Sequence, residues 1–195
     1  MSFSRYLKEQ LIMEGLWDYA QQEFDSGDTS QKQNPSAITF LIKRLANHLK
    51  EGNINADIGG GKYDLGSKLL SAVGIENLIY DPYNQRQDHN SMVVKRIQDH
   101  QAPTVTISNV LNVIKEPEVR NHVLKQARNA VSEDGVVVIS IYLGPEGNEK
   151  GRMTKDKEGR KCWQNNQPTK FYIPEVQAVF PTVKQSGNII VAYPR

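Results

Sequence analysis

Two periodic patterns of apolar residues predict helices at the start of the chain. Across Phe3–Phe24, apolar side chains recur every three or four residues, which is the period of an amphipathic helix. A second such stripe covers Ile38–Leu49, and Gly52 is a suitable stop for its helix. A polar stretch separates the two. We therefore divide the chain into an N-terminal appendage, 1–34, and a main domain, 35–195. The appendage packs on the core, covers a site as a lid, or forms a homodimer contact.

Beyond Gly52 the pattern changes to short apolar runs that alternate with helical segments. Five strands are predicted, at 54–58, 76–81, 92–97, 104–109 and 135–142, with helices at about 63–73 and 117–131. Two further β-rich runs, 182–184 and 188–193, flank a Gln-Ser-Gly turn and predict a terminal hairpin whose last strand is antiparallel to the fifth. Alternating strands and helices predict an α/β, Rossmann-like, mostly parallel seven-stranded sheet.

Composition narrows the class of protein without naming a function. The chain has 195 residues, of which 38% are hydrophobic and 24% charged, as in a single globular domain. Its net charge of +2 indicates no global affinity for nucleic acid or membranes. The single cysteine, Cys162, excludes an internal disulfide, and no apolar run reaches the ~20 residues of a membrane span. With no secretion signal at the start, we expect a cytoplasmic protein.

A glycine turn with an acidic partner is the strongest candidate for chemistry. The first strand runs into Gly59, Gly60 and Gly61 and then into a helix, whose free N–H groups suit an anionic or polar ligand. Asp81 ends the next strand, 20 residues after Gly61, where a carboxylate can accept both hydroxyls of a ribose. This spacing predicts a cofactor that contains a nucleoside. It does not choose between a dinucleotide and S-adenosylmethionine.

Three details favour S-adenosylmethionine. The glycine run does not continue as the G-x-G-x-x-G of dinucleotide sites, because position 64 is Asp. Asp57 lies at the end of the first strand, where it can meet a cationic amino group. The chain also closes with an antiparallel hairpin. With these features, Asp57–Gly61, Asp81 and the Ser108–Asn112 segment resemble the class I S-adenosylmethionine-dependent methyltransferases.

That resemblance implies roles for particular residues. Asp57 and the glycines would hold the methionine end, Asp81 the ribose, and Pro82 and Tyr83 the faces of the adenine. Asp99 would touch the adenine amino group, and Asn109 would lie where the chain passes the methyl donor. The cofactor-binding residues so implied are Asp57, Gly59, Gly60, Gly61, Asp81, Pro82, Tyr83, Asp99 and Asn109.

No catalytic acid or base stands out from the sequence. The four histidines have no metal-ligand spacing, so we predict no metal site. His89 and His100 lie near the predicted ligand edge and are candidate bases, and Asn109 is a further candidate for a catalytic role.

A locally basic segment follows the fifth predicted strand. Seven basic and two acidic residues give Lys150–Lys170 a net charge of +5. Basic side chains beside aromatic rings suit contacts with phosphates and bases, so nucleic acid is the leading partner. The competing interpretation is a solvated loop whose aromatic residues pack in the core. The candidate acceptor-binding residues are Arg152, Lys155, Arg160, Lys161 and Trp163.

The same segment is loosely similar to methyltransferases associated with DNA phosphorothioation. The likeness consists of Gly151–Lys155, Trp163–Gln164 and Phe171–Tyr172, and it implies a DNA-modification or phage-defence setting. Two alternatives remain beside a nucleic-acid methyltransferase. One is a non-catalytic accessory protein that binds S-adenosylmethionine or DNA, and the other is a methyltransferase of small molecules.

Overall fold

A computed structural model describes residues 15–18, 20–24, 27–30, 32–144, 152–155 and 161–195. Five α-helices are described: α1 (Ser36–Arg44), α2 (Leu65–Ser71), α3 (Gln87–Asp99), α4 (Pro117–Ala130) and α5 (Ile173–Gln177). Eight strands are described: β1 (Ile54–Ile58), β2 (Glu76–Tyr80), β3 (Ala102–Ser108), β4 (Val131–Ser140), β5 (Arg152–Lys155), β6 (Lys161–Gln164), β7 (Thr182–Ser186) and β8 (Ile189–Tyr193). Short 3₁₀ turns occupy Gly27–Thr29, Ala46–His48, Leu111–Val113 and Thr169–Phe171.

The main sheet confirms the predicted α/β class and the terminal hairpin. Its order is β2-β1-β3-β4-β8-β7, with β1 to β4 parallel. Strand β8 pairs antiparallel with both β4 and β7, as expected for 188–193. The described sheet has six strands, so the predicted count of seven is wrong.

The missing strand is the run 92–97, which is part of helix α3. Val93 and Ile97 are 1% and 0% exposed, whereas Met92 is 55% exposed. Two buried residues that are four positions apart match the period of a helix. Three β-branched residues in this run also satisfy a strand pattern, and packing on the sheet decides between the two. As a result β2 is the edge strand, and the chain passes through α3 directly to β3.

The sheet has a hydrophobic core on each face, because successive side chains of each strand point to opposite faces. In β4, Val136 and Val138 lie on the face that packs against α1 and α2. Val137 and Ile139 lie on the opposite face, which packs against α3, α4 and α5. Helices on both faces leave the carboxyl ends of the parallel strands free to form a site.

The N-terminal appendage is only partly described, because 1–14 lie outside the described residues. Trp17 is 8% exposed and belongs to the core on the α4 side. Its indole N–H donates to Asn129 Oδ1 at 3.1 Å. The described part of the predicted first helix therefore packs on the domain. No helix in the described ranges is long and apolar enough to cross a membrane.

The basic segment contains a separate two-stranded hairpin. Strands β5 and β6 pair antiparallel, with Arg152 opposite Gln164 and Lys155 opposite Lys161. The backbone N–H of Asn165, just after β6, donates to the carbonyl of Asn112 at 2.7 Å. The end of the hairpin is thereby attached to the turn that follows β3.

Candidate functional site

The carboxyl ends of β1, β2 and β3 open into a cavity of about 600 Å³, which we call the edge cavity. This volume is typical of small-molecule and cofactor sites. Eight of the nine residues implied to bind the cofactor line it: Asp57, Gly59, Gly60, Gly61, Asp81, Pro82, Tyr83 and Asn109.

The glycine turn requires glycine for steric reasons. Gly59 and Gly61 have positive φ angles of 71° and 77°, a region that side chains disfavour. A Cβ on Gly59 would lie 2.5 Å from Val110 Cγ2, and one on Gly60 would lie 2.7 Å from Asp57 Oδ2. The backbone of the turn therefore forms a wall of the cavity that ligand atoms can approach closely.

Asp81 organises the turns that follow β1 and β2. Its Oδ2 accepts from Gly61 N at 2.8 Å, and its Oδ1 accepts from the backbone N–H groups of Tyr83 and Asn84 at 2.9 and 3.0 Å. The side chain of Asn84 donates a fourth bond to Oδ2 at 3.2 Å. The carboxylate is 5% exposed, and its lone pairs are occupied. A ribose hydroxyl can bond to it by displacing the Asn84 amide, which is the one side-chain donor.

Asp57 is a buried carboxylate with few compensating contacts. It is 2% exposed, and Thr106 Oγ1 donates to its Oδ1 at 2.8 Å. Asn77 Nδ2 donates to Oδ2 at 3.4 Å. Burial raises the pKa of Asp57 to about 6, although these hydrogen bonds act in the opposite direction. A cationic ligand group would stabilise the ionised form, as expected for a site that holds an ammonium group.

Asn109 directly follows β3 and has a strained backbone conformation at the cavity wall. Its φ is 59°, and it is the one described non-glycine residue with a positive φ. Ser140 Oγ donates to Asn109 Oδ1 at 3.1 Å, and Asn109 N donates to the Ser140 carbonyl at 3.0 Å. Asparagine tolerates this conformation better than most residues, and such strain is frequent at ligand sites.

Three candidate residues lie away from the edge cavity. The expectation for Asp99 is corrected: it is an exposed residue at the end of α3, because the strand that it was expected to follow is part of this helix. His100 is exposed just before β3, at the opposite edge of the sheet. The ring of His89 contacts the Ile79 carbonyl at 2.9 Å and does not line the cavity. Neither histidine is positioned as a base for a ligand in this cavity.

The acceptor-binding candidates are described only in part. Arg160 lies outside the described residues, and Arg152, Lys155 and Lys161 are described as backbone positions of the hairpin. Trp163 is half-buried, and its ring stacks on Phe24 with centroids 6.2 Å apart. Lys115 Nζ lies 5.6 Å from the Trp163 centroid and forms an ion pair with Glu23. One face of the indole is therefore covered by the N-terminal appendage.

Several residues of the site were not among the predicted binding residues. Asn90 accepts from Asp81 N and donates to the Asp81 carbonyl, both at 3.0 Å, and thereby fixes the end of β2. Asn112, Gln164 and His122 also line the cavity. Asn112 was visible as part of the segment after β3. The inward position of His122 depends on how α4 docks, which the sequence alone does not define.

Comparison with solved structures identifies the fold. The PH0226 protein from Pyrococcus horikoshii OT3 is 18% identical, with a TM-score of 0.56 over 89% of this chain and 97% of that one. A sugar N-methyltransferase, KedS8 from Streptoalloteichus sp ATCC 53650, is 9% identical, with a TM-score of 0.54 over 91% and 96%. An S-adenosylmethionine-dependent methyltransferase from Clostridium acetobutylicum ATCC 824 is 10% identical, with a TM-score of 0.52 over 96% and 97%.

The chain has the fold of S-adenosylmethionine-dependent methyltransferases. At these identities the likeness shows the fold alone. No family model matches the chain, and no curated protein matches it.

Proposed function

We propose that this protein is an S-adenosylmethionine-dependent methyltransferase. The observation that carries the proposal is the edge cavity, where the glycine turn, Asp57 and Asp81 meet at the carboxyl ends of β1 and β2. The methyltransferase fold of the chain supports it. The cavity volume and the two buried carboxylates suit a ligand that has both a cationic amino group and a ribose.

The residues of the chain bind and orient the donor in this proposal. Asp57 pairs with the ammonium group, the backbone of Gly59–Gly61 lies against the methionine portion, and Asp81 accepts a ribose hydroxyl in place of the Asn84 amide. S-adenosylmethionine supplies a methyl group on a cationic sulfur, which is already a good leaving group. The protein therefore acts mainly by holding donor and acceptor in line and by excluding water.

We propose nucleic acid as the first acceptor class to test. The support is the net charge of +5 over Lys150–Lys170, which includes the β5–β6 hairpin beside the edge cavity. The solved structures do not support the narrower likeness to methyltransferases associated with DNA phosphorothioation.

A small-molecule acceptor is the second candidate. No Lys or Arg is among the described residues that line the edge cavity, and Asn109, Asn112 and Gln164 supply neutral carboxamides there. Asp18, Ala20 and Gln22 of the appendage line it too, as a lid over a small substrate would. A neutral polar acceptor fits this lining better than a phosphate group does.

Calorimetry with S-adenosylmethionine and S-adenosylhomocysteine tests the donor site. Both ligands should bind the wild type, and NAD⁺ should not. Asp57→Asn should weaken S-adenosylmethionine by about tenfold or more, because it removes the charge that faces the ammonium group. Asp88→Asn is the matched control, since Asp88 is exposed and pairs with Arg86. Failure of the wild type to bind either ligand would refute the proposal.

A methylation assay separates an enzyme from a non-catalytic binding protein. Labelled S-adenosylmethionine is incubated with DNA, RNA and small molecules of a cell extract in separate reactions. Transfer to DNA or RNA that is lost at high salt supports a nucleic-acid acceptor. Transfer confined to small molecules supports the second candidate. Binding of the donor without transfer to any of the three pools supports the accessory protein.

A further inference from the structure

The wall of the edge cavity beyond Asp81 is formed by helix α4. Because α3 replaces the expected strand at the edge, Asp99 is not available there. Val119, His122, Val123 and Gln126 line the cavity instead, and their spacing of three, one and three places them on one face of α4. The seven residue steps from Val119 to Gln126 extend this face over about 10 Å.

This face of α4 lies beside the end of β2. Tyr80, which precedes Asp81, donates its hydroxyl hydrogen to the Trp17 carbonyl at 3.0 Å. On the same segment, the Leu16 carbonyl accepts from Gln126 Nε2 at 3.0 Å. Two consecutive residues of the appendage therefore connect the end of β2 to α4, and Asp18, the next residue, lines the cavity. A base attached to a ribose at Asp81 would be adjacent to α4.

His122 has an unused hydrogen-bonding atom at this wall. Its Nε2 is buried and has no partner among the described residues. The flanking Val119 and Val123 are apolar. This face of α4 therefore presents an apolar surface to the cavity, with one polar group between the two valines. A buried nitrogen without a partner costs free energy, and a bound group that hydrogen-bonds to it would remove this cost.

We propose that His122 recognises the purine edge of the cofactor, with Val119 and Val123 against the ring. This inference rests on the proposed function, because it takes the donor to be S-adenosylmethionine. In this proposal the imidazole rotates so that Nε2, which is buried in the structure, faces the cavity and accepts a hydrogen from the exocyclic amino group of adenine. His122 is thus a specificity-determining residue for the nucleoside and not a general base.

Binding of two nucleosides tests this role without knowledge of the methyl acceptor. Calorimetry compares S-adenosylhomocysteine with S-inosylhomocysteine, in which an oxo group replaces the amino group. The wild type should prefer the adenosyl ligand, and His122→Ala should weaken it by ~10-fold or more. The affinity for the inosyl ligand should change less, so the preference should shrink. His122→Gln, which retains an acceptor, should restore part of the preference.

The control variant is His100→Ala, an exposed histidine outside the cavity. It should leave both affinities unchanged. His122→Ala removes no hydrogen bond of Nε2, which has no partner in the described part of the chain, so the variant loses only the packing of the ring and should fold. If that variant does not fold, His122→Gln and His122→Asn provide the comparison.

The outcomes separate this inference from the proposed function. An unchanged affinity and preference in a folded His122 variant would overturn the role of His122 and leave the donor site intact. No binding of either nucleoside by the wild type would instead overturn the proposed function, and the inference with it.

Discussion

The two sides of the edge cavity differ in how completely their polar groups are bonded. On one side, Gly59–Gly61 and 81–90 bond to each other through the Asp81 carboxylate and the Asn90 amide. No buried side-chain N or O without a partner occurs at these described positions. Eleven of the thirteen such atoms in the described residues fall in 108–122 and 163–169, and among them Ser108, Asn112 and His122 line the other side of the cavity.

This difference indicates that the first side is complete without a ligand and that the second side is not. Buried polar groups are normally hydrogen-bonded, and a concentration of exceptions beside a cavity indicates a place that a ligand or water completes. The glycine-turn side is therefore preorganised, so a ligand there loses little affinity to ordering the protein. On the second side, a ligand or water can supply the hydrogen bonds that Ser108, Asn112 and His122 lack.

Asp81→Asn should show the largest effect and would break the preorganised side. Its amide NH₂ cannot accept the hydrogens of Gly61 N and Asn84 Nδ2, so we expect a loss of about 3 kcal/mol in the free energy of unfolding. Urea denaturation measures this change. Asp88→Asn should change stability by less than about 0.5 kcal/mol. Equal stability of the two variants would show that the Asp81 bonds do not hold the turns.

The pH dependence of stability sharpens the comparison at Asp57. Burial raises its folded-state pKa to about 6 from 3.8, so the folded protein binds this proton more tightly than the unfolded chain. The resulting stabilisation is complete below about pH 4 and is lost as the pH rises through about 6, with a total of roughly 3 kcal/mol at most. Urea denaturation of the wild type and Asp57→Asn between pH 4 and 8 measures it.

The Asp57→Asn variant should lack this part of the pH dependence and should be more stable than the wild type at pH 8. Parallel curves for the two proteins would contradict the raised pKa. Because the ligand requires the carboxylate, the affinity for S-adenosylmethionine should fall in the wild type as the pH drops below about 6.

Asn112→Leu tests the incomplete side. It should raise the stability of the protein, whereas Asp81→Asn should lower it. The Asn112 side chain is 1% exposed, and both polar atoms lack partners among the described residues. An apolar side chain of similar size removes the desolvation penalty, so the protein should gain about 1–2 kcal/mol of stability. The affinity for S-adenosylhomocysteine should be unchanged, and methyl transfer should fall. Thermal unfolding, calorimetry and the transfer assay measure the three quantities, and a loss of stability would contradict the comparison.

A matched pair of threonines gives the smallest expected effect. Thr169 Oγ1 is buried without a partner in the described structure, so Thr169→Val should stabilise the protein by about 0.5–1 kcal/mol. Thr106 Oγ1 donates to Asp57 and accepts from Asn55, so Thr106→Val should destabilise it. Urea denaturation of both variants compares the same substitution at a buried threonine that is hydrogen-bonded and at one that is not. A destabilised Thr169→Val would remove the distinction.

Much of the fold could be predicted because local pattern and tertiary structure agree. The glycine run permits one kind of turn, and the apolar run of β4 is long enough to be buried on both faces. The error at 92–97 arose where the local pattern is ambiguous. A short apolar run satisfies the strand and helix patterns alike, and docking against the sheet determines which forms.

The candidate site likewise has one part that the sequence predicts and another that only the tertiary structure defines. The sequence by itself determined the glycine turn, Asp57 and Asp81, because backbone geometry restricts those positions and parallel strands bring their carboxyl ends to one edge. Only the tertiary structure decided that His122 lines the cavity, that Asp99 does not, and that Phe24 covers Trp163. These positions depend on how α3, α4 and the N-terminal appendage pack on the sheet. That packing results from many weak apolar contacts between distant parts of the chain, which leave no local motif in the sequence.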